Sequence, residues 1–175
     1  RQMKDLLVTA RRPNTSAPRP YDDALMPAVH PLHVVKGELA IQEFNGDWPW
    51  TPDFSTLKPT HSGVIKSIAI PPKLEPFGEQ LTGYLSVEKA GEYTFTATAD
   101  GGLHIWLHDA RVIDSDHCKP YELITARVRL AAGLHPLRIS YSHRTGEPLL
   151  ILLCSGPDMK EHDLRAPDLA RNGAK

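Results

Sequence analysis

Residues 91–114 constrain the fold of this chain more than any other stretch. Gly91-Glu92-Tyr93-Thr94-Phe95-Thr96-Ala97-Thr98-Ala99 sets aromatic and small apolar residues against glutamate and threonine at every second position, the period of a strand with one buried face. It runs into Asp100-Gly101-Gly102, an acidic glycine-rich turn, and a second hydrophobic run follows at once from Leu103 to Asp114. Aromatic and β-branched side chains suit a pleated, half-buried surface. The stretch therefore reads as the central hairpin region of an all-β, antiparallel sandwich or barrel.

Further strands are expected on both sides. Glu38 to Phe44 alternates weakly before the turn dipeptide Asn45-Gly46, and Val64 to Ile70 and Leu81 to Val87 alternate clearly. From Tyr121 to Leu130 the parity Ile124, Ala126, Val128, Leu130 should face the core, with Arg127 and Arg129 outside. Leu137, Ile139 and Tyr141 share one face of the next run. Leu149 to Leu153 is apolar on both parities, as in a strand covered on both sides. The spacing predicts six to nine strands over residues 34–171.

Ahead of that domain, Met3, Leu6, Leu7 and Ala10 follow a helical spacing that Pro13 ends, and a proline-rich linker leads on to His33. Residues 1–33 thus read as a short N-terminal helical tail and linker, and residues 172–175 as a disordered end. The chain begins at Arg1 with no signal-peptide pattern, and we expect a fragment of a larger protein.

Twenty basic residues against 21 acidic ones leave a net charge of −1, with no electrostatic case for nucleic acid or an anionic membrane surface. No apolar run is long enough to span a bilayer. Cys118 and Cys154 are the two cysteines. A buried free thiol is expected at Cys154, with a Cys118–Cys154 disulfide the other possibility.

Several side chains carry candidate chemistry. His104, Trp106 and His108 fall on one strand face by parity, leaving Leu103, Ile105 and Leu107 to the core. An indole between two imidazoles offers a platform for a sugar ring, or two nitrogens to a zinc ion that lacks an evident third ligand; ordinary packing would also explain the face. Asp114-Ser115-Asp116-His117 spaces oxygens in the manner of an ion site or of a solvated loop. Trp48-Pro49-Trp50 reads as an aromatic ridge or as loop anchors. We find no nucleophile–base pair, no paired acids at a catalytic spacing and no phosphate loop, so no catalytic residue is expected in this fragment.

The order of the motifs resembles the PA14 family, a non-catalytic β module found beside secreted glycosidases, sulfatases, adhesins and toxins. The resemblance rests on Phe44-Asn45-Gly46-Asp47-Trp48 with Pro52-Asp53-Phe54, Leu57 to Gly63, Gly83-Tyr84-Leu85, Gly91-Glu92-Tyr93-Thr94-Phe95, Val112-Ile113-Asp114, Leu130 to Pro136 and Ser155-Gly156-Pro157. It implies a β-sandwich in an extracytoplasmic protein. In sugar-binding members a paired Asp-Asp after the central strand holds Ca²⁺; here Ala99 replaces the first aspartate, which puts Ca²⁺ in doubt and leaves Asp100, Asp114 and Asp116 as its candidate ligands. The candidate ligand-binding set is Asp100, His104, Trp106, His108 and Asp114. Arg1 to Arg11 resembles the last helix of an arylsulfatase-type hydrolase, which implies an upstream catalytic domain. The expected function is a carbohydrate-binding accessory domain of a secreted carbohydrate-active hydrolase, a sulfatase by preference. The alternative is a structural module that packs on its parent enzyme.

Overall fold

The computed structural model describes residues 24–70, 72–116 and 120–173. The helical spacing over Met3 to Ala10 and the Cys118 half of the disulfide question lie outside these residues. Twelve strands run along them: β1 (Val34–Lys36), β2 (Leu39–Asn45), β3 (His61–Ile65), β4 (Phe77–Val87), β5 (Gly91–Ala99), β6 (Gly102–Leu107), β7 (Ala110–Asp114), β8 (Leu123–Leu130), β9 (Gly133–His143), β10 (Leu150–Gly156), β11 (Met159–Asp163) and β12 (Leu169–Asn172). They form two antiparallel sheets. The larger runs β1-β12-β4-β9-β6-β7, and β2, flanked by β3, shares one edge of β4 with β12. The smaller runs β11-β10-β5-β8.

The two sheets close on the residues that parity assigned to the core. Phe95, Leu103, Ile105, Leu107, Leu130 and Ile139 have no exposed surface, and Leu81, Val128 and Tyr141 are almost as deep. Each such side chain contributes roughly 1.5–3 kcal/mol by leaving water. Four expectations need correction. β5 and β6 are not a hairpin: β5 lies in the small sheet and β6 in the large one, so Asp100-Gly101 is a crossing from sheet to sheet. The true hairpin is β6–β7. β10 is covered on one face only, since Leu150, Leu152 and Cys154 are buried while Ile151 is 41% exposed. The strand after Gly63 stops at Ile65, and Met26, in the expected linker, packs against the core. Cys154 is a buried free thiol, with burial pushing its pKa up to about 12.

The outer face of the large sheet is roofed by residues 46–56, and this roof positions the site. Phe54 stacks on Phe44 with centroids 4.6 Å apart, and Trp48 meets Phe54 edge-on at 5.7 Å. Gly78 makes the seat possible, because any Cβ there would overlap the Phe54 ring. Under the roof Ser140 and Ser142, on the outward parity of β9, are buried all the same. On the core side of β4 one carboxyl breaks the apolar pattern. Glu79 is 2% exposed and sits opposite Glu43 in register. Burial first, then the Glu43 charge, push its pKa up to about 7, against a smaller pull from Lys73.

Candidate functional site

The Asp100 side chain turns inward at the sheet crossing. Its Oδ1 accepts bonds from the Tyr141 hydroxyl and from the Leu149 backbone N–H at 2.7 Å, and its Oδ2 lies 2.6 Å from His143 Nδ1. The Asp100 and His143 side chains are 2% and 0% exposed. Burial, then the neighbouring Asp100 carboxylate, push the Tyr141 phenol up, so it remains a donor. Asp100 therefore clamps β9 and the start of β10 to the end of β5. Sequence reading saw the aspartate and its turn and missed its partners, which stand 41, 43 and 49 residues away.

His108 parts from His104 and Trp106. It sits past the end of β6 with a left-handed φ of 52°. There its Nε2 lies 2.9 Å from Nδ1 of the fully buried His135, whose Nε2 is 2.9 Å from the Ala131 carbonyl. Only an N–H can face a carbonyl, so His135 carries its proton on Nε2, and His108 donates from Nε2 to the bare Nδ1. Burial lowers both pKa values and so favours these neutral forms. The pair is a packing element at the far end of the strand.

A β-bulge assembles what parity could not. The β6–β7 register shifts between Ile105 and Trp106, so His104 faces Asp114 while Trp106 faces Arg111. Arg111 and Asp114, of opposite parity, thus reach the same outer face and pair at 3.2 Å. His104 Nε2 lies 3.4 Å from Asp114 Oδ1 and 3.0 Å from Asp116 Oδ2. Asp116 is no solvated loop residue, for its side chain is 10% exposed. Its Oδ1 accepts the Thr51 N–H at 3.0 Å and the Thr51 hydroxyl at 2.6 Å. Burial raises its carboxyl, but the facing His104 imidazole and the two Thr51 donors outweigh that and hold the pKa at about 2.

Two clefts flank this cluster. One, of about 350 Å³, is lined by Thr51, Gln80, His104, Trp106, Arg138 and Ser140 among others. Here the indole of Trp106 already carries guanidinium groups: Arg138 stands 4.6 Å and Arg111 5.4 Å from the ring. The other, of about 340 Å³, opens at the sheet crossing between Trp50, Gly101-Gly102, Ser115, Asp116, Ser142 and Arg144. Trp48 and Trp50 divide the two roles offered to them. Trp48 anchors the roof, whereas Trp50 is 63% exposed at the mouth of this cleft. Arg144 pairs with Asp47 at 2.6 Å.

The PA14 domain family matches residues 53–164, more than half of the chain. The chain belongs to the PA14 family. Among solved structures, this PA14 domain is similar to a PA14 sugar-binding domain from an RTX adhesin, at 14% identity and a TM-score of 0.67, over 79% of this chain and 100% of that one. It is also similar to the epithelial adhesin 9 A domain of Candida glabrata in complex with Galβ1-3GlcNAc, at 13% identity and a TM-score of 0.64, over 83% and 93%. An anti-sigma factor domain-containing protein matches at 19% identity and a TM-score of 0.67, over 85% of this chain. The PA14 domain spans only 53% of that protein's length. At such identities the likeness is one of fold. A search of curated proteins found no match.

The PA14 resemblance raised Ca²⁺ at the turn after the central strand, and the residues present do not fit it. Ala99 has no carboxylate, and the Asp100 carboxylate is sealed inside the domain by three protein donors. Ca²⁺ requires six to eight oxygens, and this turn directs none of its side-chain oxygens outward.

Proposed function

We propose that this chain is a non-catalytic carbohydrate-binding domain whose ligand seat is the cleft beside Trp50. The observation that carries the reading is the 63% exposed indole of Trp50 at the mouth of a cleft rich in hydrogen-bonding groups. An indole face packs on the apolar side of a pyranose ring, while hydroxyl and guanidinium groups bond its edge. The exposed Arg144 and Thr145 supply those groups. The sugar-binding RTX adhesin domain and the disaccharide-bound adhesin support the class of ligand. Trp106 serves less well as a stacking platform because Arg138 already occupies its surroundings. Binding on this reading proceeds without Ca²⁺ at Asp100.

The domain would tether a larger extracytoplasmic protein to glycan and raise the local concentration of its active part. A carbohydrate-active hydrolase as that parent rests on the family's occurrence beside glycosidases. A sulfatase rests only on the Arg1–Arg11 resemblance, and the relatives named above include none.

A second reading, a module that packs on its neighbour, has its own observation. Leu123, 65% exposed, and Ile151 stand on either side of Thr98 in one row of the small sheet's outer face. Titration of the ¹⁵N-labelled chain with neutral and sulfated oligosaccharides decides between them. The glycan reading expects amide shifts confined to Trp50, Gly101, Ser115 and Arg144, unaffected by EGTA, and affinity lower by at least about tenfold in Trp50→Ala, as loss of a stacking contact implies. An unmoved spectrum across the panel, or binding indifferent to Trp50→Ala, would leave the packing module as the function.

A further inference from the structure

Nε2 of His104 exposes under 1 Å² and has no hydrogen-bond partner among the described residues. It nevertheless sits 3.0 and 3.4 Å from two carboxylate oxygens, close enough to pair and too poorly aligned to bond. The Oγ of Ser115, between the two aspartates in sequence, is likewise buried without a partner. Buried polar groups are seldom left so, and here one lies on β6 and the other just past the end of β7, the strand paired with it.

The donor atoms of His104, Asp114 and Asp116 all lie within 4.8 Å of one another. We propose that these three residues form a site for a first-row divalent transition ion of the Zn²⁺ class, with coordination completed by water or another oxygen ligand. Ligands held about 2.1 Å from such an ion stand about 3.0 Å apart at right angles and about 3.4 Å apart in a tetrahedron. The two measured separations from Nε2 span this range. One ion at the common vertex satisfies a nitrogen lone pair and both carboxylates, which a single imidazole proton cannot.

The remaining oxygens are already spoken for in the manner of a supported metal site. Asp114 Oδ2 holds Arg111, and Asp116 Oδ1 holds the Thr51 N–H and hydroxyl. That leaves Asp116 Oδ2 and Asp114 Oδ1 to turn to the ion, the latter bearing only a long 3.4 Å contact from the Asp116 N–H. An imidazole in the set selects against Ca²⁺ and Mg²⁺, which prefer oxygen, and favours zinc, cobalt or nickel. This site adjoins the glycan seat, whose wall includes Asp116, but it uses the bulge on β7, which no turn motif in the sequence announced.

Co²⁺ titration of the full chain, followed by visible absorption, tests the proposal. The expected result is saturable binding at one equivalent, displaced by equimolar Zn²⁺ and untouched by a hundredfold excess of Ca²⁺. Affinity should fall by at least about tenfold in His104→Gln and in Asp114→Asn. Asp114 is 40% exposed, so its variant keeps the test sound should His104→Gln fail to fold. Absence of saturable Co²⁺ binding, or binding unchanged in Asp114→Asn, overturns the site and leaves His104 as a plain ion-pair partner. Neither result bears on the Trp50 titration.

Discussion

Asp100 shows how a residue typical of turns can serve the interior instead. Three donors from β9 and the loop before β10 converge on one buried carboxylate, and removing its charge leaves them short of an acceptor. Asp100→Asn should cost about 2–4 kcal/mol in urea unfolding, since the amide NH2 that replaces one carboxylate oxygen sets a donor against a buried donor. Glu79 acts in the opposite sense. Its folded pKa of about 7 lies above the ordinary 4.5, so the folded state holds the proton more tightly. The stability it contributes is fully present below about pH 4.5 and is lost as pH rises through about 7. The total is bounded by roughly 3 kcal/mol at about 1.4 kcal/mol per unit. Glu79→Gln should therefore stabilise the domain by about 1–3 kcal/mol at pH 8, change little at pH 4, and flatten the fall in melting temperature between. Neither aspect was legible in the sequence. Alternation marked Leu81 and Leu85 as core but could not say that the same inward row carried a carboxylate at Glu79, or which distant side chains would reach Asp100.

At the scale of elements, period-two patterning located β5, β6, β8 and β9 because each buries one face and shows the other to polar surroundings. It failed where a strand departs from that regularity. β1, β11 and β12 are too short to alternate visibly. The bulge in β7 reverses parity part-way, and so hid the meeting of Arg111 and Asp114 with Trp106 and His104. The β5–β6 connection looks like a hairpin turn in sequence because crossing between sheets needs the same compact, glycine-bearing bend. The roof over the large sheet was legible only as a family motif. Its mechanism is steric, with Phe54 lying flat on Gly78 and Thr51 hooking Asp116 over Gly102. Gly78→Ala should lift that roof, lower stability by about 1–3 kcal/mol as overpacking does, and raise the exposure of Trp48 in acrylamide quenching while the strand signal in far-ultraviolet circular dichroism persists.

For the whole molecule, one core joins the two sheets, with Phe95 and Leu130 from one meeting Ile105 and Ile139 from the other. Trp48, Trp50 and Trp106 all sit on the outer side of the large sheet or at its edge, whereas circular dichroism sees every strand. A single cooperative unit requires the two signals to melt together. Superimposable transitions in urea are expected, and a tryptophan transition that runs ahead would mean that the roof opens as a separate unit. The strand pairing at the domain's boundaries also governs how it bears load. β1 and β12 are antiparallel, with Val34 opposite Asn172 and Lys36 opposite Ala170. The ends of these two strands at Val34 and Asn172 therefore lie side by side. Tension between the leads first has to free the Met26 and Val29 bridges to β8 and β9 and the Gly173–His33 bond, and it then peels the β1–β12 ladder rung by rung instead of loading all its bonds together in shear. A domain held this way yields first at its own corner, while the cleft beside Trp50, walled by the sheet crossing at Gly101-Gly102 and the end of β9, keeps its shape.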